Sequence, residues 1–270
     1  VRRLTLGYSP CPNDTFIFYG LIHGMVDTKE LRFEEILLDV EALNQKAFNL
    51  ELDITKVSYH AYLYLREDYS LLRSGGALGR GCGPLIVAKE GYNIKDLKGK
   101  RIAIPGKFTT AFLLLRLFDP ELCINPSIMT FDRIMLAVKN GEVDAGLIIH
   151  ESRFTYPLYG LKEIMDLGKW WEDETGLPIP LGCIIARRTL GDDMIKRING
   201  YIRMSLEYSL ANPARPMDYI KQHSQELSDH VIKQHIDLYV NNYSLDIGDE
   251  GEKAIEELLK RSQDRGVLSY

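Results

Sequence analysis

In the stretch AGLIIHESRF the chain runs from an apolar segment into His150, Glu151 and Ser152. Gly146, Leu147, Ile148 and Ile149 read as a buried strand, which puts the imidazole where that strand meets a loop. Imidazole titrates close to neutral pH with little tuning, so a histidine there is a candidate general base. The plainer reading is a structural ring hydrogen-bonded to backbone. Position favours chemistry, because ligands of open parallel sheets sit beyond the carboxyl ends of the strands. Glu151, Ser152 and Arg153 follow in the next turn, where they can orient the ring or meet an anion.

A second candidate is IPGKFTTAF, in which a strand, a turn at Gly106 and a helix opening at Thr109 and Thr110 follow one another. The spacing is not that of a phosphate loop. The exposed N–H groups and dipole of such a helix start attract an anion, here a substrate carboxylate, although one threonine can also be a simple N-cap. A third is SPCPNDTF, after the first strand. Its prolines stiffen the turn. Asp14 reads as a helix cap, with Asn13 and Thr15 as polar lining of the same site. The run SGGALGRGCGP carries five glycines in eleven residues. It matches no nucleotide fingerprint and reads as backbone at close quarters or a hinge. His23, His60, His223, His230 and His235 show no metal-ligand spacing and read as structural or exposed, and Trp170 with Trp171 reads as packing. No metal site and no organic cofactor are expected.

The elements that must position these groups alternate. RLTLGYS, LRFEEILLD, DITKVS, KRIAIPG and AGLIIH read as strands, and helical patterns through DTFIFYGLIHG, VEALNQKAFNL, TTAFLLLRLF and FDRIMLAVKNG lie between them. In the C-terminal third, Ile195, Ile198, Ile202 and Leu206 fall on one helical face, and two further amphipathic segments follow, the last capped at Gly266. This helical third is expected to pack on a sheet formed earlier in the chain. Residues 39–58 and 132–150 echo each other: an acidic residue at a helix start, a helix, a turn, an aspartate (Asp53 or Asp144), a strand, and a polar residue at its end. One βαβ unit used in each of two lobes would place Ser58 and His150 on opposite walls of a cleft.

At 270 residues the chain is long enough for two domains, with 45% hydrophobic and 26% charged residues. The net charge of −5 and the lack of a basic run interleaved with aromatics argue against a nucleic-acid partner. Cys11, Cys82, Cys123 and Cys183 are scattered and read as free thiols of a reducing compartment. The two N-terminal arginines have no apolar run behind them, so no signal peptide is read, and no stretch approaches the roughly 20 apolar residues of a membrane span. A cytoplasmic location is expected. Oligomeric state is not legible.

DLKGKRIAIPG, the threonine-initiated helix and NGEVDAGLII together resemble the second lobe of type II periplasmic-binding-protein folds. SPCPNDTFIFYGLIHG, TKVSYHAY, RSGGALGRGCGPLIVA, GLIIHESRFTYPLYGL and LPIPLGCIIARR are similar to the 1,4-dihydroxy-6-naphthoate synthase family of the futalosine route to menaquinone, over essentially the whole chain. The resemblance implies a two-lobed α/β fold, each lobe a mixed, mostly parallel sheet flanked by helices, with the cleft between them. The larger lobe would comprise 1–88 and 183–270 and the smaller 89–182, joined by crossover strands GPLIVAK and LGCIIARR. It implies a lyase that converts a small-molecule substrate, cyclic dehypoxanthine futalosine, to the dihydroxynaphthoate and dihydroxyacetone. His150 would be the base, and Lys56, Val57, Ser58, Thr110 and Ala111 would bind substrate. Two rivals share the fold: a solute-binding protein that holds a small anion without chemistry, and the chorismate dehydratase of the same pathway. The missing export signal and the interior histidine favour an enzyme, and SPCPNDTF with LIIHESRFTYP favours the naphthoate synthase.

Overall fold

Short apolar runs closed by turns become the strands of two sheets, and amphipathic segments between them become covering helices. The computed structural model describes residues 2–225 and 228–268. Its strands are β1 (Arg2–Tyr8), β2 (Leu31–Leu37), β3 (Ile54–Ser58), β4 (Tyr69–Leu71), β5 (Ala77–Gly79), β6 (Leu85–Ala88), β7 (Ile102–Ile104), β8 (Pro126–Ile128), β9 (Ala145–Ile148), β10 (Lys162–Asp166) and β11 (Ile179–Arg187). The helices of the first half are α1 (Pro12–Ile22), α2 (Val40–Phe48), α3 (Tyr59–Leu65), α4 (Thr110–Phe118) and α5 (Phe131–Asn140). Then come α6 (Ser152–Thr155), α7 (Leu167–Thr175), α8 (Asp192–Ala211), α9 (Met217–His223), α10 (Asp229–Tyr239), α11 (Asn242–Leu245) and α12 (Gly248–Asp264).

One sheet has the order β2-β1-β3-β11-β4, with β5 also on β11, and the other β10-β6-β9-β7-β8. Two α/β lobes of mixed sheets are therefore present. The expected parallel majority is corrected. β1 pairs in parallel with β2 and β3, and β7 with β8 and β9, but every pairing of β6, β10 and β11 is antiparallel. The reason is topological: βαβ units keep strands parallel, whereas the segments that leave and re-enter a lobe cross it in the opposite direction. The strand β6 pairs within the second sheet and β11 within the first, so a division at 88 and 182 falls at the end of one crossover strand and inside the other.

The helix α1 is apolar on nearly every side, with Phe16, Ile17, Phe18 and Leu21 all buried, as befits a helix enclosed by others. The helices α8, α9 and α10 cover it. Gly20 lets α8 approach closely, since a Cβ there would lie 3.1 Å from the Ser205 carbonyl oxygen. Ser205 Oγ then donates to the Ile17 carbonyl (2.7 Å) and accepts from Leu21 N–H (2.8 Å). Ile195, Ile198, Ile202 and Leu206 form the buried face of α8, at the spacing the sequence shows. The glycine-rich segment works at close quarters: a Cβ on Gly83 would lie 2.2 Å from the Cα of Gly168. Among the described residues no helix is long and apolar enough to cross a membrane.

Candidate active site

The first wall of the cleft starts where β1 ends. Ser9 follows the strand, Cys11 takes the N-cap of α1 without a side-chain capping bond, and Pro12 occupies the first turn, where its missing N–H is harmless. Asp14, in that same turn, is buried and accepts from Ser9 Oγ (2.7 Å), Ser9 N–H (3.2 Å), Asn13 Nδ2 (2.8 Å) and Lys56 Nζ (2.6 Å). Lys56 comes from β3 and is itself 5% exposed, so this is a buried ion pair with further donors on the carboxylate. Such a pair stands only because its lone pairs are satisfied. Strand alternation then sorts the neighbours of Lys56: Lys56 and Ser58 face the cavity while Val57 points to the opposite face. Ser58 is held from behind by the buried Asn44, which accepts from its N–H (2.9 Å) and donates to its Oγ (3.3 Å).

The second wall is built at the ends of β7 and β9. Thr109 is the N-cap of α4, accepting from Phe112 N–H (3.3 Å) and donating to the Gly106 carbonyl (2.8 Å). Thr110 Oγ1 donates to the Leu181 carbonyl (2.5 Å) and accepts from His60 N–H (3.4 Å). Its hydroxyl is thus committed to protein partners. What the helix start offers a ligand is the N–H groups of its first two residues, Thr110 and Ala111, which no helical carbonyl can reach. The loop already holds one anion from the first lobe: Phe108 N–H donates to both Glu41 oxygens (3.3 and 3.2 Å). Gly106 is needed for this, since a Cβ there would lie 2.5 Å from the Glu41 side chain.

His150 sits two residues past β9 with φ +57°, in the left-handed region that a bulky residue enters at some cost. Its half-buried ring lies 5.0 Å from Phe131 and 6.2 Å, nearly parallel, from His235. Burial pushes its pKa down to about 4; Asp14 opposes that shift, Lys56 adds to it and Asp39 opposes it. The ring is therefore neutral at physiological pH, the form a base requires. Ser9, Asn13, Asp14, Lys56, Ser58, Thr109, Thr110, Ala111 and His150 all line one cavity, open to solvent.

A family profile described as "Menaquinone biosynthesis" matches residues 4–264. The chain belongs to the menaquinone biosynthesis family. It is 52% identical over 269 residues to 1,4-dihydroxy-6-naphthoate synthase of Thermus thermophilus, covering 100% of this chain and 97% of that enzyme. A solved structure of an Archaeoglobus fulgidus protein superposes with a TM-score of 0.93 at 38% identity, covering 98% of both chains. A Candida albicans protein described as having the generic periplasmic binding protein structural fold gives a TM-score of 0.74 at 15% identity, over 100% of this chain and 92% of that one, a likeness of fold alone.

In this member of the menaquinone biosynthesis family, the cavity gathers most of the side chains singled out from sequence, with three departures. Asp14 is not the helix cap, because its carboxylate is taken by Ser9 and Lys56. Thr15 is not among the cavity-lining residues: its hydroxyl donates to the Cys11 and Pro12 carbonyls (3.0 and 3.3 Å). Val57 is fully buried in the core and pairs with Cys183 in the sheet. Arg80 and Arg153 are engaged elsewhere, Arg80 with Glu250 and Arg153 with the Gly83 carbonyl and Asp166. Sequence reasoning missed His235. The sequence reads it as structural or exposed, yet it is fully buried, with Nε2 2.8 Å from Asn13 Oδ1 and its ring facing His150. Its position on a helical face of otherwise apolar residues, Ile232 and Tyr239, is the one signal that marks it as interior. His60, also buried, places Nδ1 3.3 Å from the Thr109 carbonyl at the junction of the lobes.

Proposed function

We propose that the chain is a 1,4-dihydroxy-6-naphthoate synthase, a carbon–carbon lyase acting in the cytoplasm on cyclic dehypoxanthine futalosine with His150 as general base. The observation that carries this reading is a neutral imidazole, aimed into a cavity whose opposite wall holds a buried lysine. His150 takes the proton next to a substrate carbonyl, and the electron pair left behind drives cleavage. The leaving fragment takes a proton and departs as dihydroxyacetone, and the remaining ring system aromatises. Only proton transfers and bond cleavage are involved, so no redox partner enters. The N–H groups of Thr110 and Ala111 suit a carboxylate or polar arm of the substrate, and Lys56 and Ser58 suit the other end. An anionic substrate in this cavity raises the basicity of His150, because it favours the imidazolium that forms.

The test is a chromatographic and mass-spectrometric assay of the purified protein with that substrate, beside His150→Asn. Wild type forms dihydroxynaphthoate and dihydroxyacetone. The variant binds substrate but loses about 10²–10⁴-fold in kcat, the usual worth of a positioned base. A folded wild type that binds the substrate and never turns it over would reduce the protein to a solute binder. Turnover of chorismate instead would make it the dehydratase.

A further inference from the structure

We propose that Cys11, His150 and Glu151 form a site for a thiophilic divalent transition-metal ion of the zinc class, and that its occupancy withdraws His150 from catalysis. The Cys11 Sγ, a ring nitrogen of His150 and a carboxylate oxygen of Glu151 lie within 4.8 Å of one another. Cys11 and Glu151 are buried, at 3% and 6% exposure. Thiolate, imidazole and carboxylate are the donors that zinc takes, at roughly 2.0–2.3 Å, which puts tetrahedral ligands about 3.3–3.7 Å apart. Side-chain adjustments of about 1 Å close the set around an ion. Charge balances too, since one thiolate and one carboxylate neutralise a divalent ion in a buried place, and the neighbouring Asp14 and Lys56 already neutralise each other.

A second observation points the same way. Asn13 Nδ2 donates to Asp14 Oδ1 (2.8 Å), so the amide oxygen is the atom facing His235 Nε2 (2.8 Å). His235 Nε2 must therefore carry the hydrogen, and the lone pair lies on Nδ1. That Nδ1 is wholly buried, has no hydrogen-bond partner, and is 3.8 Å from Glu151 Oε2. A lone pair facing a carboxylate oxygen at this distance is too far for a hydrogen bond. It is close to the spacing of two ligands on one ion. His235 thus places a further buried lone pair beside Glu151, outside the group of three donors.

The ion would use the lone pair with which His150 takes a proton. Burial holds the Cys11 thiol protonated without metal, with the Glu151 charge adding to that effect. Binding accordingly expels one proton from Sγ to solvent and tightens as pH rises. His150 and Glu151 are neighbours in the sequence, but Cys11 joins them only through the fold, so no spacing motif marks the site.

The experiment titrates the metal-stripped full chain with Co²⁺ as a spectroscopic probe and with Zn²⁺ in the turnover assay. One equivalent of Co²⁺ should give the absorption of a tetrahedral ion with a thiolate charge-transfer band. Cys11→Ser should lose that band, and Glu151→Gln should bind at least about tenfold more weakly. Wild-type turnover should fall with Zn²⁺ and return with a chelator, while Cys11→Ser resists. The spectroscopic arm does not depend on the reaction; the inhibition arm rests on the proposed role of His150. No Co²⁺ binding in the micromolar range, or an unchanged spectrum in Cys11→Ser, would sink the site. If either variant misfolds, the wild-type spectrum and the other variant still decide. Zn²⁺ bound through Cys11 with undiminished turnover would overturn its hold on His150.

Discussion

In the first βαβ unit, β3 carries Ser58 in extended backbone (φ −68°, ψ 146°) straight into α3. In the second, β9 stops at Ile148 and His150 turns into the left-handed region at φ +57° before the single turn of α6. The units otherwise share their scaffolding. Asp53 Oδ2 accepts from Thr5 N–H in the adjacent β1 (2.9 Å), and Asp144 Oδ2 accepts from Arg101 N–H at the threshold of β7 (2.9 Å). What positions the strands is repeated, and what differs is the end that faces the cavity. The walls differ in charge as well: the first carries the buried pair of Asp14 and Lys56, the second a neutral ring and helix N–H groups. Under the proposed function, a fixed ion pair on one side and an uncharged base on the other would let substrate be anchored without protonating the base.

The charged wall is the place to break that contrast with the largest effect. Lys56→Met leaves Asp14 buried with Ser9 and Asn13 as its remaining donors, and should cost about 3–5 kcal/mol of stability. Denaturant melts of the single variant and of Lys56→Met with Asp14→Asn should differ, the double variant recovering part of the loss because no charge is stranded. Equal losses would mean that packing of the lysine stem, and not charge, holds this wall.

Acid titration comes next. His60 is 2% exposed, and its pKa is pushed down to about 4 by burial, with the Thr109 carbonyl opposing. The unfolded ring takes a proton near pH 6.5 and the folded ring does not. The contribution is therefore whole above pH 6.5 and is lost as pH falls from 6.5 to 4, a total of about 3 kcal/mol. His60→Gln should flatten that part of the stability profile. For His150 the matching readout is turnover: kcat/KM should hold level down through pH 6 and fall only as the ring protonates near pH 4, a direction set first by burial. An acid limb centred near 6.5 would show a ring that is not desolvated.

Much of this contrast is legible in the sequence and part of it is not. The polar ends at Ser58 and His150, and the paired Asp53 and Asp144, follow from period-two strands and local turn chemistry, which reach only a few residues along the chain. The threonine helix start is readable for the same reason. His235, by contrast, meets Asn13 across more than two hundred residues, and Lys56 meets Asp14 across forty-two. No local period encodes either meeting. Asp14 looks like a cap because caps are what an aspartate at a helix start usually does, and a buried lysine from another strand overrides that preference. The antiparallel pairings were hidden likewise, since the direction in which a crossover strand enters depends on where the other lobe lies.

The paired aspartates allow a milder comparison. Asp53→Ala removes acceptors from both the N–H and the Oγ1 of Thr5 and should cost about 1–2 kcal/mol. Asp144→Ala removes one bond, to Arg101 N–H, and should cost about 0.5–1 kcal/mol. Both should leave the pH dependence of turnover as it is, which melting curves and rate profiles read separately. A changed profile in either would make these residues part of the chemistry and not of the frame.

A further pair of variants isolates the backbone at His150. Asparagine visits the left-handed region readily, whereas alanine there meets the clash between its Cβ and the following carbonyl, so His150→Ala should be about 1 kcal/mol less stable than His150→Asn. Both lack the base and should be equally inactive, so stability is free to report the backbone alone. The comparison with the first unit makes this sharper. Ser58→Ala and Ser58→Asn, in extended backbone, should show no such preference beyond the shared loss of the hydroxyl's bond to Asn44. If alanine and asparagine are equally tolerated at 150, the turn relaxes without cost, and the left-handed backbone is a consequence of the loop's path and not strain held in place to aim the ring.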